Sequence, residues 1–284
     1  MNGLLLNSKP LGEVYWFRLS GKVAVIGAGK IGEAIIKGLI AKGFRDLVAT
    51  CRSERRRKQL SYLGIPIILN NREAVAKSNI IIISVKPHQV RGVLKEVRDL
   101  LNNKLLISVA ASITTKFIEG LVRGVRVIRA MPNINALVGE SITAISPGST
   151  AKEEDVKLAM EIFGSIGECV VVEEELMDAI TAYSGSGPAY VLAFLESLVY
   201  AGLRIGIPRD KALELAIRTL IGTSRLISET KVHPAQLREL VITPGGVTIE
   251  ALYALERNGF KATIMDAVYE AYKRAKELSE RLNK

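Results

Sequence analysis

Apolar residues in the first part of the chain fall in short unbroken runs, and in the last part they recur at helical spacing. The runs are Val23–Ile26, Leu47–Thr50, Ile65–Leu69, Asn79–Val85, Leu105–Val109, Val125–Ile128, Ser141–Ile145 and Cys169–Val172. Runs of this length, rich in Ile and Val, predict strands, several of them buried on both faces. Between them the spacing is helical: Glu33–Ile40, a basic stretch from Ser53, and Ala151–Phe163. Strands alternating with helices predict a mostly parallel sheet covered on both sides, an α/β architecture. After Val172 the strand signal stops. The acidic triplet Glu173-Glu174-Glu175 marks the boundary, and helical periodicity continues to Leu282. The expected organisation is an N-terminal extension over 1–21, a doubly wound α/β domain over 22–173 and an all-α domain over 174–284.

In the all-α part, Ala189–Leu203 is apolar nearly all round and carries one charge, Glu196. A helix of that kind is buried on every side. A domain of this size has few places to enclose it. That predicts a homodimer whose partner helices surround it, with the central helix of a monomeric bundle as the alternative. No run is long and clean enough to span a bilayer, and the start Met1–Leu6 lacks the regions of a secretory signal. The expectation is a cytoplasmic protein without a membrane partner.

Gly27-Ala28-Gly29-Lys30-Ile31-Gly32 follows the first strand and opens the first helix. Strand, glycine turn and helix in that order are the context in which G-x-G-x-x-G binds a dinucleotide. Gly27 permits the tight turn, Gly29 lets the backbone approach a pyrophosphate, and Gly32 lets helix and strand pack closely. The helix start adds free N–H groups and a positive dipole end. The α/β domain is therefore read as a Rossmann-type dinucleotide-binding domain. An NAD-type site carries Asp or Glu at the end of the second strand. This chain has Cys51-Arg52-Ser53 there. Arg52 can face a 2′-phosphate and Ser53 can donate to it, which favours NADPH and leaves NADH as an alternative.

Ligands of open α/β sheets lie beyond the carboxyl ends of the strands. Val85-Lys86-Pro87 ends one strand, with Lys86 projecting at the crevice. Ala110 and Ala111 follow the next and leave room for a flat nicotinamide ring, and Arg129–Asn133 ends a third. Two motifs lie in the helical half. Ser184-Gly185-Ser186-Gly187-Pro188-Ala189-Tyr190 interrupts a helical pattern, at a cost in propensity that close backbone approach to a ligand or another helix would offset. Thr243-Pro244-Gly245-Gly246 must break a helix. Thr248 is expected to cap the next one, and the N–H groups of the turn suit a small carboxylate.

The net charge of +10 is accounted for in part by Arg52, Arg55, Arg56, Arg57 and Lys58. With no interleaved aromatics, this cluster reads as a solvated helix face, so no nucleic-acid partner is expected. Cys51 and Cys169 read as buried free thiols in a reducing compartment. They and the two histidines, His88 and His233, have no metal-ligand spacing, so no metal is expected.

Taken together these residues resemble the pyrroline-5-carboxylate reductase family from about Lys22 to Leu278. The resemblance rests on Ile26-Gly27-Ala28-Gly29, Val85-Lys86-Pro87, Met131-Pro132-Asn133, Ser184–Tyr190, and Leu237-Arg238 through Pro244-Gly245-Gly246-Val247-Thr248. It implies NAD(P)H-dependent reduction of the cyclic imine 1-pyrroline-5-carboxylate to L-proline, the last step of proline biosynthesis. It also implies a homodimer, with a decamer among the larger rings such dimers build. The expected cofactor site comprises Ile26, Gly27, Ala28, Gly29, Lys30, Ile31, Arg52, Ser53, Asn71, Val85, Lys86, Pro87, Ala110 and Ala111. Of these, Asn71 and Lys86 match family positions near the cofactor. The expected substrate site comprises Thr243, Gly245, Gly246 and Thr248, with Thr248 matching a family position at the substrate. Three departures bear on cofactor affinity. Lys30-Ile31 replaces a polar residue followed by Met or Leu, Ala111 replaces a common glycine, and Val247 replaces a small residue or Thr.

The expected step moves a hydride from C4 of the nicotinamide to C5 of the imine, with the ring nitrogen protonated. Such chemistry needs positioning more than strong acid–base groups. Thr248, or a water it orients, is the expected catalytic proton donor. Helical-domain residues are expected to complete the crevice in the dimer. The alternative is another NADP-dependent imine or β-hydroxyacid oxidoreductase. A β-hydroxyacid enzyme would carry a lysine on the long interdomain helix, and residues 176–203 contain none. A non-catalytic dinucleotide sensor or nucleic-acid binder would leave the glycine-rich breaks of the helical half unexplained.

Overall fold

A computed structural model describes residues 21–284, so the expected extension lies, apart from Gly21, outside the described residues. Strands β1 (Val23–Ile26), β2 (Leu47–Thr50), β4 (Ile80–Ile83) and β5 (Leu105–Ser108) are buried at every position. With β3 (Ile67–Ile68), β6 (Arg126–Met131), β7 (Ser141–Pro147) and β8 (Gly167–Val171) they form one eight-stranded sheet, ordered β3-β2-β1-β4-β5-β6-β7-β8. Alternate side chains of a strand serve opposite faces. Ile80 and Ile82 enter one core with α1 (Lys30–Ala41) and α6 (Glu153–Phe163). Ile81 and Ile83 enter the other with α4 (Pro87–Val97) and α5 (Thr115–Leu121). Each buried isoleucine contributes about 1.5–3 kcal/mol.

All neighbouring strands are parallel except β6 and β7. The link between those two holds only a 3₁₀ turn, Ile134–Val138, too short for the crossover that parallel pairing needs. Several boundaries shift by a few residues from the sequence reading, and two of the differences are instructive. The run expected at Ile65–Leu69 forms only the two-residue β3, an edge strand preceded by Pro66 and paired only to Ala49 and Thr50. Helix α1 begins at Lys30, ahead of the expected Glu33, directly on the glycine turn.

Beyond β8 the chain is helical: α7 (Met177–Ile180), α8 (Gly187–Arg204), α9 (Arg209–Thr230), α10 (Pro234–Glu239), α11 (Val247–Arg257) and α12 (Phe260–Leu282). The expected interruption at Ser184–Pro188 is not a break. A π-helical turn, Thr181–Gly185, joins α7 to α8, and Pro188 sits in the first turn of α8, where its missing N–H is no loss. At Gly185 the one close neighbour of an added Cβ would be the Cε of Met131 at 2.7 Å, the movable end of a flexible side chain. The chain thus runs helically from Glu174 to Arg204 over 31 residues. Contrary to the sequence reading, this stretch is long and apolar enough, by length and composition, to cross a membrane. The sequence reading counted only the segment beyond the glycines. Its most apolar window is only 11 % buried within the chain. In α8, Val199 and Gly202 are buried, while Val191, Leu192 and Tyr200 are exposed. Among the described residues, nothing covers this exposed face of the helix.

Candidate active site

The chain winds outward from β1 through β2 to β3, then returns to β4 on the other side of β1. That reversal opens a crevice at the carboxyl ends of the strands. A cavity of about 350 Å³ lies there, lined by Gly27–Gly29, Thr50–Ser53, Arg56, Leu69, Asn71, Ser84–Lys86, Gln89 and Val93.

The glycine turn is the floor of this cavity. Gly27 has φ +94°, and a Cβ on it would lie 2.7 Å from Val85 Cγ1 and 2.9 Å from the Ser84 carbonyl oxygen. Gly29 has ordinary extended backbone, and nothing lies within 4 Å of where its Cβ would be. It is the N-cap of α1 and supplies no side chain to the first N–H groups, which are left for a ligand. Open space before a bare helix N-terminus is what a bound pyrophosphate needs.

The walls are cationic. Arg52, Arg56 and Lys86 line the cavity, and among the described residues no carboxylate does. Ser53 caps α2 (Glu54–Leu60), its Oγ accepting from the Arg56 N–H at 3.2 Å. Arg56 reaches back from α2: its Nε donates to the Ala28 carbonyl at 3.0 Å, and its guanidinium pairs with Glu33 of α1 at 2.6 Å. Burial pushes the Glu33 carboxyl up, but hydrogen bonds from Lys37, Tyr62 and Arg56 outweigh that and hold it at about 2, below its ordinary 4.5. A second set of bonds ties the turn to β2. The Gly27 N–H donates to Thr50 Oγ1 at 3.2 Å, the Thr50 hydroxyl to Asn71 Oδ1 at 2.8 Å, and the Asn71 amide to Glu96 at 3.0 Å.

Of the expected cofactor residues, Gly27, Ala28, Gly29, Arg52, Ser53, Asn71, Val85 and Lys86 line the cavity. Ile26, Lys30, Ile31, Pro87, Ala110 and Ala111 do not. Ile26 is fully buried in the sheet, with its carbonyl bound to the Ser84 N–H. Lys30 is exposed at the start of α1, and Pro87 is spent as the first residue of α4. Ala110 is buried, and Ala111 half-buried, beyond β5. The sequence reading missed Arg56, which it placed on a solvated face, and also Thr50 and Gln89. The polar end of an otherwise apolar β2 was the available signal for Thr50. Arg129, read as part of a crevice-facing strand end, is instead 1 % exposed and paired with Glu174 at 3.0 Å and Asp178 at 2.9 Å. It joins the sheet to the start of the long helix. Cys51 is buried beside the cavity. Cys169 is only half-buried, its thiol pushed up to about 11 by burial and by the charge of Glu168.

The turn before α11 has the pattern of a type II turn. Pro244 is followed by Gly245 at φ +66°, and the Gly246 N–H donates to the Thr243 carbonyl at 3.0 Å. Thr248 does not cap α11 as expected. Gly246, extended at φ −81° and ψ 168°, is the N-cap, and Thr248 is the second helical residue. Thr243, Gly245, Gly246 and Thr248 do not line the crevice of their own chain.

A family model described as pyrroline-5-carboxylate reductase dimerisation matches residues 174–278, and one described as NADP oxidoreductase, coenzyme F420-dependent, matches residues 22–112. The pyrroline-5-carboxylate reductase of Glycine max is 40 % identical over 259 residues, 89 % of this chain and 94 % of its own. That of Methanosarcina acetivorans is 39 % identical over 266 residues, 92 % and 98 % respectively. Among solved structures, the Plasmodium falciparum pyrroline carboxylate reductase with NADP bound superposes with a TM-score of 0.84 at 30 % identity, covering 91 % of this chain and 98 % of its own. On this identity, over nearly the whole length of both sequence and fold, the chain belongs to the pyrroline-5-carboxylate reductase family.

Proposed function

We propose that the chain reduces 1-pyrroline-5-carboxylate to L-proline with NADPH, and that it works as a homodimer whose sites are each built from two chains. One observation carries the cofactor reading. The space before Gly29 opens into a crevice lined by three cationic side chains and, among the described residues, no carboxylate. The backbone around Gly29 holds the pyrophosphate. Arg52 and Ser53 take the 2′-phosphate, and the missing carboxylate removes the usual partner of a ribose diol. Arg56 acts differently. Tied to Ala28 and Glu33, it fixes the glycine turn. Bound NADPH supplies the hydride.

Protein groups bind and orient the imine. The N–H groups of the Thr243–Gly246 turn and the Thr248 hydroxyl hold its carboxylate, and Thr248, or a water on it, delivers the proton to the ring nitrogen. This turn does not line the crevice of its own chain, so we assign it to the crevice of the partner. Residues from Glu174 onward form the dimerisation half, where a partner covers the exposed face of α8. Loss of absorbance at 340 nm with 1-pyrroline-5-carboxylate and NADPH, repeated with NADH, tests the reaction; no turnover with either overturns it. Sedimentation separates monomer, dimer and decamer. The Thr248→Ala variant is expected to lose well over tenfold in kcat/KM for the imine while binding NADPH normally.

A further inference from the structure

The loop after β5 carries Ala110 and Ala111 and is held in place by the far end of the chain. Ser112 sits at φ +60°, a conformation costly for a residue with a side chain. Asn283, just past α12, grips it from two sides. Its amide donates to the Ser112 carbonyl at 2.8 Å. Its Oδ1 accepts from the Thr114 N–H at 2.9 Å and from the Thr114 hydroxyl at 3.1 Å. The Ser112 hydroxyl in turn donates to the Ala275 carbonyl of α12 at 3.4 Å. Leu282 packs on the adjoining core, and Arg91 of α4 donates to the Lys284 carbonyl at 2.6 Å. On the other side of Thr114, the Thr115 N–H donates to Glu174, the partner of Arg129. A strained loop gripped from two parts of the helical half is over-determined in a way that surface loops are not.

We propose that Asn283 is a positioning residue for hydride transfer: by holding Ser112 in its left-handed conformation it fixes the Ala110–Ala111 backbone at the carboxyl end of β5, the side of the crevice that takes the nicotinamide. The inference rests on the cofactor reading above, in which the β1–β3 side takes the adenosine half and the β4–β5 side the nicotinamide half. It makes the end of α12 part of the active-site geometry, so that disturbance of the helical half is felt at the hydride. A plain helix cap would not need this arrangement, because the second amide hydrogen of Asn283 already serves the Ser279 carbonyl at 2.6 Å.

The test compares wild type, Asn283→Ala and Asn283→Asp. The Asp variant keeps the acceptor for Thr114 and loses the donor to Ser112. Three readouts are taken: kcat with NADPH and 1-pyrroline-5-carboxylate, the primary isotope effect with NADPH deuterated at the transferred position, and the Kd of 2′,5′-ADP, which fills only the adenosine half. Both variants are expected to lose about tenfold in kcat. Their isotope effect should rise, with 2′,5′-ADP affinity unchanged. Wild-type kcat and isotope effect in both variants would overturn the inference alone. So would normal turnover in the Asp variant beside an impaired Ala variant, or a loss of 2′,5′-ADP affinity in step with kcat. A wild-type chain without turnover would overturn the cofactor reading and the inference together.

Discussion

Two glycines two residues apart in one turn should fail in opposite ways. Placing Ala at Gly29 meets no atom within 4 Å and needs no change of backbone, since Gly29 is already extended. Loss of a glycine N-cap costs about 0.5–1 kcal/mol. The stiffer unfolded chain returns about 0.4–1 kcal/mol. Folding stability is then nearly unchanged. What the methyl group takes is the space before the helix N-terminus. A hydrogen bond to a charged group is worth about 1.5–3 kcal/mol. Losing one N–H contact to the pyrophosphate therefore weakens NADPH by about 10- to 100-fold. Gly27→Ala is the contrast. A side chain at φ +94° is strained by about 1–2 kcal/mol. The clash with Val85 and the Ser84 carbonyl adds about 1–3 kcal/mol. That variant should melt several degrees lower. Thermal melts paired with titration of NADPH fluorescence read both quantities. Gly29→Ala with wild-type NADPH affinity would refute the placement of the pyrophosphate.

Four other variants separate roles in and around the crevice. Arg52→Ala should raise the Kd of NADPH about tenfold and leave NADH within about twofold, whereas Arg56→Met, which frees the glycine turn, should weaken both; calorimetric titration distinguishes them. Arg129→Met leaves Glu174 and Asp178 without their partner and should cost roughly 3 kcal/mol in urea unfolding, with Thr115 at the start of α5 losing order alongside. Glu33 titrates at about 2 when folded and near 4.5 otherwise, so its contribution is complete above pH 4.5 and fades as the pH falls through 2. Melting curves of wild type and Glu33→Gln should accordingly differ at pH 7 and draw together as the pH falls towards and below 2.

The strands were legible because burial on both faces writes itself as Val- and Ile-rich runs, as in Ile80–Ile83. The glycine turn was legible because the backbone of Gly27 and the close contacts at Gly27 and Gly32 leave no room for a side chain. What stayed hidden depends on partners distant in sequence. Arg56 lies in a basic run, and nothing in that run reveals Glu33 across the turn. Arg129 ends a strand where ligands usually sit, and only the fold brings Glu174 and Asp178 against it. The glycine–proline stretch at Ser184–Pro188 reads as a break because propensity counts residues one by one. The π turn makes it a continuous helix. Thr248 reads as a cap by residue type, but Gly246 already has the extended backbone of the cap position.

Hybrid dimers test the central claim most directly. A Gly29→Asp chain sets a carboxylate against the pyrophosphate, a Thr248→Ala chain lacks the hydroxyl at the imine, and each homodimer should be nearly inactive. If each crevice is completed by the turn of its partner, mixing the two chains creates dimers in which one site has both intact halves, and activity returns. If both halves of a site came from one chain, every site in the hybrid would carry a defect, and the mixture would stay as inactive as its parents.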